Sequence, residues 1–504
     1  MQFSDLPTEL VAQILENVHP CGARYNCLFV SRRIHELMLP IHYRTLRIPF
    51  IPGNRLTTLV RTVRRNAHLR GHTRTLCLGE DPYDVNRSVE RIIGWADIAL
   101  LFPALRKVEL YAMTFERRTM LQFFAYCARA PVLEDVTVHF PDLVPLVRPL
   151  PGVKSLMWSF TVDSSSPVLC RPAGRVETQW IQKRFLESLD RCCPQLERLT
   201  VGCAGRESQW GISDRRDAEY DEDARHEIVV PSLEKLKEFR WLAHEGMTPE
   251  YIWETVADEV LQTHANQLEA VSWDFASPQL GVSEDGPAVF LSQLPKLTAL
   301  KKLEICYTIR SITFGFTTGS NDIGYHTWPT ANMLESAIDN WQPRALREIR
   351  IRYSVAGDTS NDCLQVVRAL QRVKWLQRLD ITFGIPYVGP NPCYDAQIYD
   401  GDPQQASIRC WYFDEIQMTE LINNLPTSLE TVMINLDGQH DVIDKYQQYE
   451  FKQGHDNPLK QWDEDYRASV QEYVSQRKSL PKKLVFDRMP GLREVFIGGY
   501  DLLD

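Results

Sequence analysis

The sequence predicts an α/β chain: a short all-helical N-terminal region followed by an irregular solenoid of strand-helix units with parallel strands. A six-residue pattern, L-x-x-Φ-x-Φ with Φ apolar, recurs across most of the chain. Apolar residues at helical spacing fill the stretches between its copies. The first 46 residues lack the pattern and read as three short helices of their own.

The copies are "LRKVEL" at 105, "LEDVTV" at 133, "VKSLMW" at 153, "LERLTV" at 196, "LKEFRW" at 236, "LEAVSW" at 268, "LKKLEI" at 300, "LREIRI" at 346, "LQRLDI" at 376, "LETVMI" at 429 and "LREVFI" at 492. Two earlier copies, "YRTLRI" at 43 and "TRTLCL" at 73, open with another residue type. The intervals run from 20 to 63 residues and cluster near 30, which suits one strand plus one helix. Within each copy the last three residues alternate apolar, variable, apolar, the period of a strand with one buried face. Prolines precede several copies, as in "CPQLERL" and "MPGLREV", where they stop the preceding helix.

Helical spacing appears at 116–130 (Met120, Phe123, Phe124, Cys127), 178–193 (Ile181, Phe185, Leu186, Leu189), 249–265, 331–341 and 361–373. A unit of one strand and one helix cannot bury its own apolar face, so neighbours must stack. The alternative architecture is a single α/β domain with an open parallel sheet. The array resembles the leucine-rich repeats, over roughly residues 43 to 500, and that resemblance implies a horseshoe with parallel strands on its concave face. The family's Asn or Cys is replaced here by Met113, Pro141, Thr161, Ala204, Ala276, Ser354 and Gly384. One residue earlier stand Phe140, Phe160, Phe275, Tyr307, Tyr353 and Phe383, an aromatic spine in place of an asparagine ladder.

A chain of 504 residues with 44% hydrophobic and 24% charged residues is globular and too long for one core. Its net charge of -10 argues against a general binder of nucleic acid or membrane surfaces, which needs basic patches. No apolar run reaches the length of a membrane span, and no secretory signal opens the chain. The 12 cysteines contain no C-x-x-C and read as reduced thiols of a cytoplasmic or nuclear protein.

Leu6, Leu10, Val11, Ile14, Leu15 and Val18 form a wide apolar stripe on the first helix, with Pro7 at its start. "HPCGA" breaks it, Pro20 and Gly22 supplying the turn. "YNCLFV" follows, and then "SRRIHELMLP", with Ser31 as N-cap and Ile34, Leu37 and Met38 on one face. Here the sequence resembles the F-box, of the fungal type of F-box protein. "LPTELVAQIL" is similar to the family's opening, "LFVSRRIHEL" to its centre and "LPIHYRTLRI" to its closing segment. Ile34 and Tyr43 replace two of the family's aromatics.

The resemblance implies docking on a Skp-type adaptor that hangs the chain from a cullin-RING ubiquitin ligase, through Leu6, Pro7, Ile14, Leu15, Leu28, Val30, Ser31, Arg32 and Leu37 or their immediate support. Part of that set must form the three-helix core, and the stripe fits docking and internal packing alike.

The sequence holds no GxGxxG, GxxxxGK[ST], HExxH or GxSxG, so no enzyme, metal site or cofactor is expected. His139, His226, His244 and His264 stand alone, and the acidic run 395–402 lacks the ligand spacing of a calcium loop. Three insertions stand near 205–227, 384–413 and 438–475; the first holds eight acidic and four basic residues and reads as a charged loop. The second carries Tyr394, Tyr399 and Trp411, aromatic anchors suited to a protein target. Outward strand positions present Lys302, Glu304, Glu348, Arg350, Arg352, Arg378 and Asp380, a mixed-charge surface suited to a protein rather than a polyanion.

The expected protein is a non-enzymatic substrate-recognition subunit of a Skp-cullin-F-box ligase, with an F-box at 1–46 and a repeat array at 47–504. Its expected partners are the adaptor, the ligase and a protein target. The alternative is a repeat scaffold whose F-box-like helices merely cap the array, with no ligase role.

Overall fold

A computed structural model of the chain describes residues 6–18, 21–48, 58, 61–78, 101–111, 124–130, 132–139, 149–163, 187–206, 231–243, 259–276, 286–308, 336–338, 341, 344–354, 359–384, 415–435, 478–497 and 500–503. The chain forms two compact units, residues 1–209 with 225–236 and residues 210–224 with 237–504.

The first unit opens with three helices, α1 (Thr8–Glu16), α2 (Cys21–Cys27) and α3 (Arg32–His42). Val11 and Leu15, one turn apart on α1, meet Leu28, Ile34 and Met38 in a small buried core. Polar side chains fix the helix ends. Ser31 Oγ accepts from the Ile34 N–H at 3.2 Å, capping α3. Arg24 donates to the Val18 and Glu16 carbonyls at 2.7 and 3.0 Å, satisfying oxygens that the end of α1 leaves open. Arg33 donates to the Leu6 carbonyl at 2.7 Å and ties the start of α1 to α3.

One expectation is corrected here. Helix α2 begins at Cys21, so Gly22 lies in its first turn rather than in the connection. A proline directly before a helix is compatible with starting it, and one glycine costs a seven-residue helix only about 1 kcal/mol.

Six parallel strands follow in order: β1 (Thr45–Ile48), β2 (Thr75–Leu78), β3 (Lys107–Tyr111), β4 (Asp135–His139), β5 (Ser155–Asp163) and β6 (Arg198–Arg206). Between them lie α4 (Ala67–His72) and α5 (Leu189–Cys192). Register aligns Leu76, Val108, Val136, Leu156 and Leu199 into one column, each nearly inaccessible. Phe124, from the helical stretch before β4, stacks on Trp158 of β5 at 5.6 Å and closes the core from the helix side.

The second unit repeats the design. Strands β7 (Glu238–Ala243), β8 (Ala270–Ala276), β9 (Lys302–Thr308), β10 (Glu348–Ser354), β11 (Arg378–Gly384), β12 (Thr431–Asn435) and β14 (Glu494–Ile497) are again parallel neighbours in chain order. Helices α6 (Gly286–Gln293), α7 (Thr359–Leu370), α8 (Glu415–Asn424) and α9 (Lys482–Arg488) cover them. Leu303, Ile349, Leu379 and Val432 stand in one register row, each 2% exposed or less. Phe290 of α6 stacks on Trp273 at 4.4 Å. A small separate pair, β13 (Lys478–Pro481) with β15 (Tyr500–Leu503), has no counterpart in the sequence pattern.

Each of the thirteen motifs holds one of these strands, and each strand starts two residues into its motif, as at 105 and Lys107. The motif's first apolar residue is buried beneath the sheet, as with Leu105, Leu196, Leu300 and Leu376. The residue after it offers one carbonyl that accepts two N–H groups from the next strand; Arg74 O takes Arg106 N at 2.8 Å and Lys107 N at 3.0 Å. Among the described strands of either unit the order never reverses. A doubly wound sheet gains its ligand crevice from such a reversal, and the described strands show none. No described helix is long and apolar enough to cross a membrane.

The register row makes Leu379 a test of this core. Leu379→Ala should lower stability by about 3 kcal/mol in urea unfolding, whereas Phe496→Ala, whose ring is 51% exposed, should cost under about 1 kcal/mol. Equal costs at the two positions would contradict the assignment of faces.

Candidate functional site

The three N-terminal helices divide the predicted adaptor set. Leu15 and Leu28 belong to the core, with Leu6 and Leu37 half-buried against it. Ile14 remains 46% exposed and Val30 71% exposed. Pro7 and Ser31 are at the surface, Ser31 with its oxygen committed to the cap of α3. Arg32 is exposed and pairs with Glu36 one turn on, at 3.1 Å.

Three further residues join this surface. Leu10 is 46%, Tyr25 53% and Phe29 71% exposed. Leu10 and Ile14 sit one turn apart on α1, each directly before a core residue, Val11 and Leu15. The stripe is therefore wider than the core it feeds. The Tyr25 and Phe29 rings meet edge to face at 5.1 Å, with His42 6.1 Å from Tyr25. Burial, with the Arg24 guanidinium nearby, holds the His42 imidazole below its usual range. Signals for the missed residues were available: Leu10 in the over-wide stripe, and Phe29 in an "LFV" run of which a small bundle can bury only part.

Such a surface can bind chemically only by excluding water. Each apolar side chain of this size contributes about 1.5–3 kcal/mol when fully covered. A surface ion pair such as Arg32–Glu36 contributes about 0–1 kcal/mol, so the apolar residues would dominate any docking here.

The predicted substrate residues on β9 to β11 come together as two interlocking rows. Register sets Lys302, Glu348 and Arg378 side by side, and Glu304, Arg350 and Asp380 beside them. Lys302 reaches Glu348 at 3.3 Å and Arg378 reaches it at 4.0 Å. Arg350 bridges Glu304 at 3.7 Å and Asp380 at 3.0 Å. These opposite charges face one another across the strands, although the buried Arg378 Nε makes no hydrogen bond among the described residues. The second row continues to Met433 and the half-exposed Phe496, which sequence reasoning did not single out. Arg352 lies on β10 opposite Cys306 and Thr382, and its side chain is outside the described residues. Tyr394, Tyr399, Trp411 and the acidic run 395–402 also lie outside them. Register brings Phe275, Tyr307, Tyr353 and Phe383 into line, as an aromatic spine requires, though their side chains fall outside the described residues too.

In the first unit the strand face carries a different cluster. Lys107 contacts Glu109 at 2.9 Å and Asp135 at 3.8 Å, and the Cys77 thiol donates to Glu109 at 2.9 Å. Burial foremost, then the Glu109 carboxylate, pushes the Cys77 thiol up to about 12. Burial works against the Lys107 ammonium, and its bond to Glu109 with Asp135 close by more than restores it. Burial pushes the Asp135 carboxyl up while Lys107 and Arg198 pull it down. A thiol held neutral beside a carboxylate is no nucleophile, because the thiolate is the reactive form. His264 is a core histidine in contact with Gln267 at 2.9 Å. Among the described residues no three His, Cys, Asp or Glu side chains converge as metal ligands.

Thiol chemistry tests the burial of these cysteines directly. At pH 8, where a raised pKa keeps the thiol protonated, iodoacetamide should leave Cys77, Cys127 and Cys193 of the folded chain unmodified while alkylating Cys27, which is only partly buried, at a measurable rate. After unfolding, all four should react. Alkylation of folded Cys77 as fast as Cys27 would contradict the burial described here. No family model matches the chain, and no curated protein is similar enough to count as a relative.

Proposed function

We propose that this chain is the substrate-recognition subunit of a Skp-cullin-F-box ubiquitin ligase, its N-terminal helices docking on the adaptor and its divergent leucine-rich repeats holding a protein target. The observation that carries this reading is the split of α1. Val11 and Leu15 close the bundle's own core, while Leu10 and Ile14, with Phe29 and Val30, stay open to solvent on a bundle that does not need them. Three segments resembling the F-box, in family order, frame those residues.

The mechanism is proximity. The apolar residues of α1 and of the turn at 28–31 anchor the chain to the adaptor, which places the repeats within reach of the ligase. A target held on the strand array then meets ubiquitin at high effective concentration, and transfer becomes in effect intramolecular. On this reading the chain supplies no reacting group. It works in the cytoplasm or nucleus, where the ligase works.

A second reading, a repeat scaffold whose first helices cap the array, draws support from the direct passage of α3 through Tyr43 and Arg44 into β1. The Arg44 carbonyl there accepts the N–H groups of Arg74 and Thr75 at 2.9 and 3.0 Å. One experiment separates the two. A purified Skp-type adaptor should bind the wild type and lose at least about a hundredfold in affinity for Leu10→Glu/Ile14→Glu/Val30→Glu, with no fall in melting temperature. An adaptor that ignores both proteins, or binds both equally, would sink the ligase reading and leave the scaffold.

A further inference from the structure

Each strand of the first unit is preceded by one charged position, occupied in turn by Arg44, Arg74, Arg106, Glu134, Lys154 and Glu197, exposed in all but the half-buried Glu134 and Glu197. Backbone bonds set these in a line: Arg74 N to Arg44 O at 2.9 Å, Arg106 N to Arg74 O at 2.8 Å and Glu134 N to Arg106 O at 2.9 Å. From Glu134 onward the signs alternate, and Glu134 pairs with Lys154 at 3.4 Å. The corresponding line in the second unit is likewise compensated. Glu269 takes Lys237 and Lys301 at 3.9 and 2.6 Å, Glu430 takes Arg493 at 3.5 Å, and Arg347 lies over the Trp375 ring at 6.0 Å.

The first three positions break the rule. Three arginines stand at the starts of adjacent strands and, among the described residues, no carboxylate of the row lies between them, an arrangement that disfavours the sheet because like charges directly opposite repel. Arg44 reaches Glu16 of α1 at 3.6 Å, and Arg74 donates to the Ala104 carbonyl at 3.2 Å. Among the described residues no ion pair holds Arg106. The surrounding sequence deepens the imbalance: residues 37–79 contain eight arginines, three histidines and neither Asp nor Glu, in a chain of net charge -10. Arg47, Arg61, Arg64 and Arg65 from that stretch are exposed as well.

We infer that the row Arg44, Arg74 and Arg106 is a docking surface for an acidic peptide segment of a partner protein. Strands about 4.8 Å apart place three guanidinium groups along about 10 Å of surface. Same-side residues of an extended peptide recur about every 6.5–7 Å, so two carboxylates span the row. The guanidinium fork matches a carboxylate in geometry as well as charge. A long polyanion is the poorer fit, because it would have to run past this one basic region onto a chain whose net charge is -10. The inference does not depend on the ligase reading, since it concerns the strand starts rather than the helix surface.

Fluorescence anisotropy with a fluorescein-labelled octaglutamate peptide and the full chain tests it. Binding should weaken as salt rises, fall for Arg106→Glu and fall by about tenfold or more for Arg74→Glu/Arg106→Glu. Lys296→Glu/Lys374→Glu, the same charge change at exposed lysines elsewhere, should bind as wild type. If the reversed pair melts at a lower temperature, Arg74→Gln/Arg106→Gln replaces it, with a smaller loss expected. No binding, equal loss in the lysine variant, or tighter binding of an octathymidylate strand would overturn the proposal.

Discussion

The apolar columns that run from strand to strand within each unit are the constraint on which the rest depends. A strand such as β11, with Leu379 and Ile381 facing in, buries them only because β10 and β12 set Ile349, Ile351, Val432 and Ile434 beside them and α7 lays Leu364 and Val367 below. No unit stands without its neighbours. The leading leucine of each motif turns the chain under the sheet, and the carbonyl beside it takes two N–H groups from the next strand. The repeat is thus held by one packing rule and one hydrogen-bond rule.

What this arrangement leaves over decides where binding can occur. On β9 to β11 the outward charges are matched across the strands, so a partner that used Arg350 would have to displace Glu304 and Asp380. Among the described residues, the exposed apolar side chains of the first three helices have no such charged competitor. Their core is already complete with Val11, Leu15, Leu28, Ile34 and Met38. The arginine row before β1 to β3 is the electrostatic counterpart, a set of like charges of which, among the described residues, only Arg44 has a carboxylate partner, Glu16.

Much of the fold was legible because its rule is local. Alternation within six residues marks a strand, and all thirteen motifs hold one. What was not legible depends on contacts between distant residues. The stripe on α1 could not be divided by spacing alone: Val11 turns inward and Leu10 outward because α2 and α3 offer one narrow core, and only the packed bundle shows its width. Likewise Lys302, Glu348 and Arg378 read as a free mixed-charge surface until register placed them side by side. The β13 and β15 pair escaped because "KSLP" and "YDLL" carry no alternation of their own.

On the proposed reading, the outward half of α1 and the turn at 28–31 form a docking surface while the strands take no part in that contact. Hydrogen exchange of the full chain with and without a Skp-type adaptor measures it. The account predicts added protection over residues 8–16 and 25–31, with β7 to β12 unchanged. Unchanged exchange at 8–16, or protection confined to the strands, would contradict it.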